Sequence, residues 1–136
     1  LANHNMMDWP YTSYLEAEFA LDIDTTENIL SEYRKTPSLW YRAPFGRINK
    51  IMQKVINDRK MNHVVCDAFA NDTAIPDANW ISKYILKRVK TGSIILIHMP
   101  EKGVREWNLE AIRLTLDGLL KCNFKVVNLT ELQYRY

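Results

Sequence analysis

The chain has few glycines and few cysteines, and each shortage excludes a class of protein. Its four glycines are scattered along 136 residues and form neither a G-x-G-x-x-G pattern nor a P-loop, which argues against nucleotide chemistry. Its two cysteines, Cys66 and Cys122, are too few for a disulfide framework, although the sequence leaves a single disulfide open. Cys66 lies in an apolar run, where a free thiol behaves as a small hydrophobic side chain.

Long apolar runs and one-sided charge are also missing. No apolar run approaches the roughly 20 residues that cross a bilayer, so no transmembrane segment is predicted. The net charge is +2 with acids and bases mixed throughout, which argues against a nucleic-acid-binding protein. No signal peptide is visible, whereas sequons at Asn71 and Asn128 are compatible with a secreted or cell-wall-associated protein. Localisation therefore stays open.

What is present is the composition of an ordinary globular protein, with 47% hydrophobic and 25% charged residues. A chain of this length is large enough for one core and too small for two. We therefore expect residues 1–136 to form one domain, or most of one.

Strand-like and helix-like patterns alternate along the chain. Apolar runs typical of strands cover residues 1–4, 38–42, 63–69, 93–98 and 124–127. Helices are predicted from the start signal Asp24–Glu27, the apolar stripe Ile48–Ile56, the stretch after Pro76–Asp77 and the stretch Ile112–Leu120. The continuous apolar run at Ile94–Ile97 is typical of a parallel strand covered on both faces, so the α/β class is predicted, as a barrel or a doubly wound sheet.

Three short polar motifs follow apolar segments: His4-x-x-x-Asp8, Arg42-Ala43-Pro44-Phe45-Gly46 and Leu96-Ile97-His98. The segment Asp67–Asp72 follows a further predicted strand, and functional side chains gather at the carboxyl ends of strands in β/α folds. Because His4 and Asp8 are four residues apart, one helical turn would place both on one face, where they could hold a divalent ion.

Each motif also has a plainer structural interpretation. The His4–Asp8 pair could be a polar helix start, Arg42 a surface or salt-bridged arginine, and His98 a residue that caps a buried strand. His63 has no partner in pattern or spacing, so a structural or exposed position is expected for it. Trp9 could pack at the rim of the core or stack on a pyranose ring near His4.

In order and approximate spacing, residues 1–8, 42–46, 67–72 and 92–98 resemble the second to fifth motifs of the polysaccharide deacetylases, the NodB-homology domains. The resemblance covers nearly the whole chain. It implies a partial, distorted (β/α) barrel whose N-terminal strands lie outside this chain. It also implies removal of acetyl groups from chitin, peptidoglycan N-acetyl sugars or acetylated xylan, with N-acetylated amino-sugar polymers expected as the commoner target.

The resemblance also implies a role for each motif residue. His4 is expected to bind a divalent metal ion, with zinc as the expected metal, and Asp8 occupies the position of the family's second metal-binding histidine. Arg42 would orient the catalytic base, Asp72 would support the catalytic histidine, and His98 would be the general acid.

Two aromatic residues and one turn complete the implied site. Phe45 and Trp9 are the expected substrate contacts, and a backbone N–H of the Arg42–Gly46 turn is the expected oxyanion donor. The residue types suit a reaction in which a metal ion lowers the pKa of its bound water towards ~7, a carboxylate takes the proton and a histidinium protonates the departing amine.

The chain departs from the family pattern at two points. Asp8 stands where the family has histidine, and a harder oxygen ligand could change the affinity for the metal or the choice of metal. The family's first motif, an Asp-Asp pair that supplies the base and a third ligand, is absent from the sequence.

Three explanations of these departures remain open. The chain could be the later part of a catalytic domain whose Asp-Asp motif lies in a companion segment. It could instead be a degenerate member that binds carbohydrate without hydrolysing it. The third explanation is an unrelated α/β interaction domain whose motifs match by chance.

Overall fold

The computed structural model of the chain describes residues 1–134. It divides into two compact units, an N-terminal unit of Leu1–Val65 and a C-terminal unit that begins at Cys66. Each unit has its own cluster of buried apolar side chains, where the sequence predicts a single core.

The N-terminal unit contains two helices and a short parallel pairing. In chain order its elements are α1 (Glu16–Ser31), β1 (Trp40–Tyr41), a 3₁₀ turn (Pro44–Gly46), α2 (Lys50–Asp58) and β2 (Asn62–His63). Tyr41 pairs in parallel with His63 on one side and with Asn3 on the other. The strands predicted at residues 1–4 and 38–42 therefore lie side by side.

Helix α2 follows its sequence pattern closely. The Asn49 side chain accepts a hydrogen bond from the N–H of Met52 at 2.8 Å, which caps the first turn. Met52, Val55 and Ile56 are buried, so the predicted apolar stripe faces the core.

Helix α1 begins eight residues before the start signal predicted at Asp24–Glu27, which is therefore wrong. The Glu18 carboxylate accepts the N–H of Leu15 at 3.0 Å and closes the first turn. Phe19 and Ile23 extend the buried face towards that turn. Asp24 instead forms an ion pair with a residue of the segment after α2, Arg59.

The C-terminal unit repeats the strand–helix–strand arrangement. Its elements are β3 (Ala68–Phe69), α3 (Ala78–Leu86), β4 (Ile95–Leu96), α4 (Trp107–Lys121) and α5 (Leu129–Gln133). Strands β3 and β4 are parallel, with Ala68 opposite Ile95. The Asp77 side chain caps α3 by accepting the N–H of Trp80. Helix α4 packs on α3 so closely that a side chain at Gly118 would meet Leu86.

Two predictions about the strands need correction. The single strand predicted at 63–69 is two short strands, because the Val64 N–H bonds to the Tyr41 carbonyl whereas the Asp67 N–H bonds to the Ile94 carbonyl. Residues 124–127, within the described range, form no strand. Helix α5 was not predicted.

The buried side chains divide accordingly. The N-terminal cluster contains Tyr11, Phe19, Ile23, Tyr41, Ala43, Met52, Val55, Ile56 and Met61. The C-terminal cluster contains Ala68, Ala70, Ile81, Ile85 and Ala111. The α/β class is confirmed, since parallel strands joined through helices occur in both units. Among residues 1–134, no helix combines the length and apolarity needed to cross a bilayer.

Candidate active site

His4 directly follows Asn3, whose backbone forms two hydrogen bonds with the segment of β1. The Asn3 N–H donates to the Trp40 carbonyl at 3.0 Å, and the Arg42 N–H donates to the Asn3 carbonyl at 3.0 Å. This parallel pairing places His4 and Arg42 at the carboxyl ends of neighbouring extended segments. The two motifs therefore lie together, as the strand-end argument predicts.

The His4 ring is oriented by a backbone carbonyl. Its Nδ1 lies 2.6 Å from the Arg42 carbonyl oxygen, which can only accept, so in the neutral ring Nδ1 carries the proton and Nε2 has the lone pair. This is the support that metal-binding histidines commonly receive. The Nε2 atom lies 4.0 Å from Asp8 Oδ1, and the two side chains are 49% and 72% exposed.

The donor set of His4 and Asp8 fits a divalent cation as two of its ligands. Nitrogen and carboxylate oxygen both suit zinc and similar ions, and the separation exceeds a hydrogen bond, which leaves both lone pairs available. No group of three or more histidine, cysteine or acidic side chains with metal-binding geometry occurs among residues 1–134.

Arg42 is a half-buried cation without a carboxylate partner in the described part of the chain. Its Nη1 donates one long hydrogen bond, 3.4 Å, to the Val64 carbonyl. Burial, and then the charge of Arg42, lower the pKa of His63, which keeps that imidazole neutral. His63 is thus a packed neighbour of Tyr41 with a buried Nε2 that has no described partner.

The turn after Arg42 holds an exposed aromatic ring in an unusual backbone conformation. The Gly46 N–H donates to the Ala43 carbonyl at 2.9 Å, and Phe45, with φ of 57°, occupies the turn position where Gly or Asn is usual. The Phe45 side chain is 64% exposed. Its backbone N–H donates to no carbonyl of residues 1–134. Trp9 is also exposed, at 46%.

The loop between His4 and Asp8 rests on a polar network that sequence reasoning missed. Asp22 of α1 accepts hydrogen bonds from Asn5 Nδ2 at 2.7 Å, from the Met6 N–H at 3.1 Å and from the Tyr11 hydroxyl at 2.9 Å. These residues looked like a solvated helix face and ordinary loop positions, so no signal in the sequence marks them.

The C-terminal unit joins the other two predicted catalytic residues. Asp72 is 1% exposed, and its Oδ1 lies 3.0 Å from Nδ1 of His98. The backbone N–H of His98 donates to Asp72 Oδ2 at 2.8 Å. The His98 side chain is 40% exposed. A buried carboxylate thus fixes an accessible imidazole through Nδ1, which directs Nε2 away from that bond.

Two residues at the start of α4 complete this arrangement and were not predicted. The Asn108 side chain, fully buried, donates from Nδ2 to Asp72 Oδ2 at 2.8 Å and to the His98 carbonyl at 3.0 Å. The Trp107 indole N–H donates to the Asp72 carbonyl at 2.9 Å. A Trp-Asn pair at a helix start reads as packing and capping, which is why it carried no functional signal.

The structure therefore joins His4 with Asp8 in one unit and Asp72 with His98 in the other. Arg42 and Phe45 follow β1 in the N-terminal unit, and the carbonyl of Arg42 is the group that supports the His4 ring. The roles assigned to these residues, and to Trp9, stay predictions.

No protein-family model matches this sequence, and no curated protein matches it. Solved structures do match: a CE4 family pseudoenzyme from Bacillus anthracis has a TM-score of 0.85 at 19% identity, over 96% of this chain and 45% of that one. The chain has the fold of the family 4 carbohydrate esterases.

Two further CE4 structures agree with this result. The peptidoglycan deacetylase PdaC from Bacillus subtilis has a TM-score of 0.84 at 20% identity, over 97% of this chain and 62% of that one. A family 4 acetyl xylan esterase from Clostridium thermocellum, in complex with a cobalt ion, has a TM-score of 0.83 at 22% identity, over 96% and 62%. The predicted partial barrel of the polysaccharide deacetylase type is confirmed, and an unrelated fold is excluded.

The chain spans less than half the length of the first of these proteins and about 62% of the other two. At 22% identity or less, the likeness establishes the CE4 fold alone. The chemistry has to be argued from the residues of this chain.

Proposed function

We infer that the chain contributes to a metal-dependent hydrolase that removes acetyl groups from N-acetylated amino-sugar polymers of the chitin or peptidoglycan type. The observation that carries this proposal is the Asp72–His98 pair, in which a buried carboxylate orients an accessible imidazole at 3.0 Å. Such a pair is suited to deliver a proton to a departing amine.

His98 is assigned the role of general acid. The Asp72 carboxylate accepts at His98 Nδ1, which orients the ring and leaves Nε2 as the atom that would deliver a proton to the leaving group. The Asn108 amide bonds to the same carboxylate and to the His98 carbonyl, so it limits rotation of both. An amide needs this proton more than an ester does, because an amine leaves poorly as an anion.

His4 and Asp8 are assigned as two ligands of a divalent cation. The free lone pair of His4 Nε2 and the exposed Asp8 carboxylate support this assignment. When bound, the ion would supply Lewis-acid polarisation of the acetyl carbonyl and a water of lowered pKa. Zinc suits the imidazole, and the cobalt in the Clostridium thermocellum esterase supports a divalent transition metal more generally.

Arg42 and the turn after it are assigned to the charged groups of the reaction. The cation of Arg42, unpaired among residues 1–134, is suited to hold a carboxylate base in its ionised form. The N–H of Phe45, which bonds to no carbonyl of residues 1–134, is suited to stabilise a developing oxyanion. The exposed rings of Phe45 and Trp9 are suited to contact a sugar.

A second function is favoured by one observation. His4 and Asp8 form only a two-ligand set in the described chain, with aspartate at the position of the family histidine. The Bacillus anthracis neighbour is a pseudoenzyme, and a mutant of it has restored enzymatic activity. The alternative is therefore a catalytically inactive deacetylase-like domain that binds carbohydrate. In the enzyme, by contrast, the base would come from a companion segment that carries the Asp-Asp motif.

Acetate release from N-acetylchitooligosaccharides and from peptidoglycan tests the two functions, measured with zinc or cobalt added and with a segment that carries the family's Asp-Asp motif supplied to every variant. Acetate release that a chelator abolishes supports the enzyme. We expect Asp8→His, which restores an imidazole ligand, to bind zinc more tightly and to release acetate faster than the parent chain. Binding of the sugars without acetate release in either protein would favour the inactive domain, and absence of both would contradict both functions.

A further inference from the structure

The carboxylate of Asp22 is partly buried, and no cationic side chain within residues 1–134 forms an ion pair with it. Its Oδ1 accepts from Asn5 Nδ2 at 2.7 Å and from the Met6 N–H at 3.1 Å, and its Oδ2 accepts from the Tyr11 hydroxyl at 2.9 Å. All three donors are neutral, so they orient the carboxylate without cancelling its charge. Bonds to an ionised acceptor are roughly twice as strong as bonds between neutral groups.

The donors that Asp22 gathers hold the loop between His4 and Asp8. Asn5 and Met6 belong to that loop, and the Tyr11 hydroxyl accepts the Met7 N–H at 3.2 Å. Tyr11 is 1% exposed, and burial, followed by the bond to Asp22, raises its pKa to about 12. The tyrosine therefore stays a donor, and three consecutive loop residues are tied to one carboxylate.

The loop includes one residue in a backbone conformation that glycine and asparagine adopt more readily than other residues. Asn5 has φ of 63°, in the left-handed region, and its side-chain oxygen accepts the Tyr41 hydroxyl at 2.6 Å. Ordering a free loop costs conformational entropy at every residue that becomes fixed. A loop fixed beforehand can place His4 and Asp8 around an ion without that cost at the moment of binding.

We propose that Asp22 is a positioning residue for metal binding. Its hydrogen bonds fix the backbone of the His4–Asp8 loop, and its carboxylate adds a negative charge that no cation of residues 1–134 balances. The proposal rests on the metal-binding role assigned above to His4 and Asp8. Asp22 itself does not contact the ion. Its effect is to raise the affinity of the two-ligand set for a divalent cation.

The test is calorimetric titration of the 136-residue chain with zinc and with cobalt. Substitution of groups that support metal ligands typically weakens affinity by about 10- to 100-fold, and we expect Asp22→Asn to weaken it by at least about 10-fold. Asp24→Asn is the matched control, since it removes a carboxylate of the same helix that pairs with Arg59 instead. Circular dichroism first checks that each variant is folded, and zinc and cobalt binding is measured only for the folded variants.

Tyr11→Phe is the second variant, because it keeps the carboxylate and removes the hydroxyl that links Met7 to Asp22. We expect its affinity to lie between those of the parent chain and Asp22→Asn. If Asp22→Asn does not fold, this variant decides alone, and an affinity equal to that of the parent chain would overturn the proposal.

Two failures are distinguishable. If Asp22→Asn binds zinc as tightly as Asp24→Asn, while His4→Ala loses binding, Asp22 has only a structural role and the proposal is overturned. If His4→Ala binds as tightly as the parent chain, the metal assignment itself is wrong, and the proposed function loses its ligands.

Discussion

The two units hold their candidate functional side chains in opposite ways. In the N-terminal unit, His4 and Asp8 are 49% and 72% exposed and lie 4.0 Å apart, too far for a hydrogen bond. In the C-terminal unit, Asp72 is buried and lies 3.0 Å from the imidazole of His98. The difference suits the proposed roles. Metal ligands must keep their lone pairs free for an ion, whereas a general acid and the carboxylate that orients it form a direct hydrogen bond.

The residues that hold these side chains in place also differ between the two units. The proposed ligands His4 and Asp8 are supported by the carboxylate of Asp22, which accepts hydrogen bonds from the loop between them and from neither ligand. Around Asp72 stand Asn108 and Trp107, which bond to the functional carboxylate residue itself. The Asp22 bonds thus fix the backbone of the His4–Asp8 loop, whereas the Asn108 bond fixes the side chain of Asp72.

The largest expected effect is on the C-terminal pair. We expect His98→Ala to reduce acetate release by about 100-fold or more, since a positioned general acid typically contributes about 10²- to 10⁴-fold. Folding should be preserved, because the ring is 40% exposed and the backbone N–H to Asp72 remains.

The control for this variant is Met99→Ala at the adjacent, 76% exposed position. Its acetate release should equal that of the parent chain. Comparable acetate release by His98→Ala and Met99→Ala would remove His98 from the mechanism.

The second effect compares two aspartates by stability alone. Asp72→Ala leaves the His98 N–H and one bond of Asn108 without their acceptor, and we expect a loss of about 3 kcal/mol in the free energy of unfolding. Asp8→Ala, at 72% exposure, should change it by less than about 0.5 kcal/mol. Urea titration measures both, and equal losses would contradict the contrast between a buried and an open pair.

The smallest effect concerns pH. Burial of Glu27 opposes its ionisation, but hydrogen bonds from Ser38, Asn3 and Arg34 outweigh burial and hold the pKa of Glu27 below its ordinary value of 4.5. A carboxyl whose pKa is lower in the folded state stabilises the fold above the unfolded pKa and loses that contribution as pH falls through the folded pKa. The Glu27 contribution should therefore be complete above about pH 4.5 and should be lost as the pH falls from there through the lower pKa of the folded state.

Melting temperatures across this acid range test the prediction. Glu27→Gln should flatten the acid-induced decrease, because it removes the group that titrates. Asp67→Asn is the comparison in the C-terminal unit. Partial desolvation of the Asp67 carboxyl opposes its ionisation, but bonds from the Ile94 N–H and Ser93 outweigh that effect and lower its pKa. Asp67 as a whole is exposed. Its substitution should flatten the decrease less, and a larger effect than that of Glu27→Gln would contradict the ranking.

Sequence patterns predicted what depends on neighbouring residues. The cap at Asp77 and the stripe of α2 follow from short spacing, and the family motifs located Asp72 and His98 at strand ends. Helix α5 also had a readable signal, since Asn128 caps it by accepting the Glu131 N–H, a pattern of cap residue and acid three positions later.

What escaped prediction depends on distant partners. Asp22 and Asn108 look like polar residues of amphipathic helices, and only the tertiary fold shows that each faces a functional loop. The start of α1 escaped because Leu15 is not a usual cap residue and the carboxylate of Glu18 closes the turn in its place. Side-chain networks across 17 and 36 residues leave no local pattern to detect.

The left-handed backbone at Phe45 has a consequence for protein engineering. A non-glycine residue at φ of 57° costs roughly 1–2 kcal/mol, and the 64% exposed ring recovers little of it by packing. A library selected only for heat resistance should therefore enrich glycine at position 45. If the ring contacts sugar, selection for sugar binding should retain phenylalanine, so thermostability and recognition compete at this one residue.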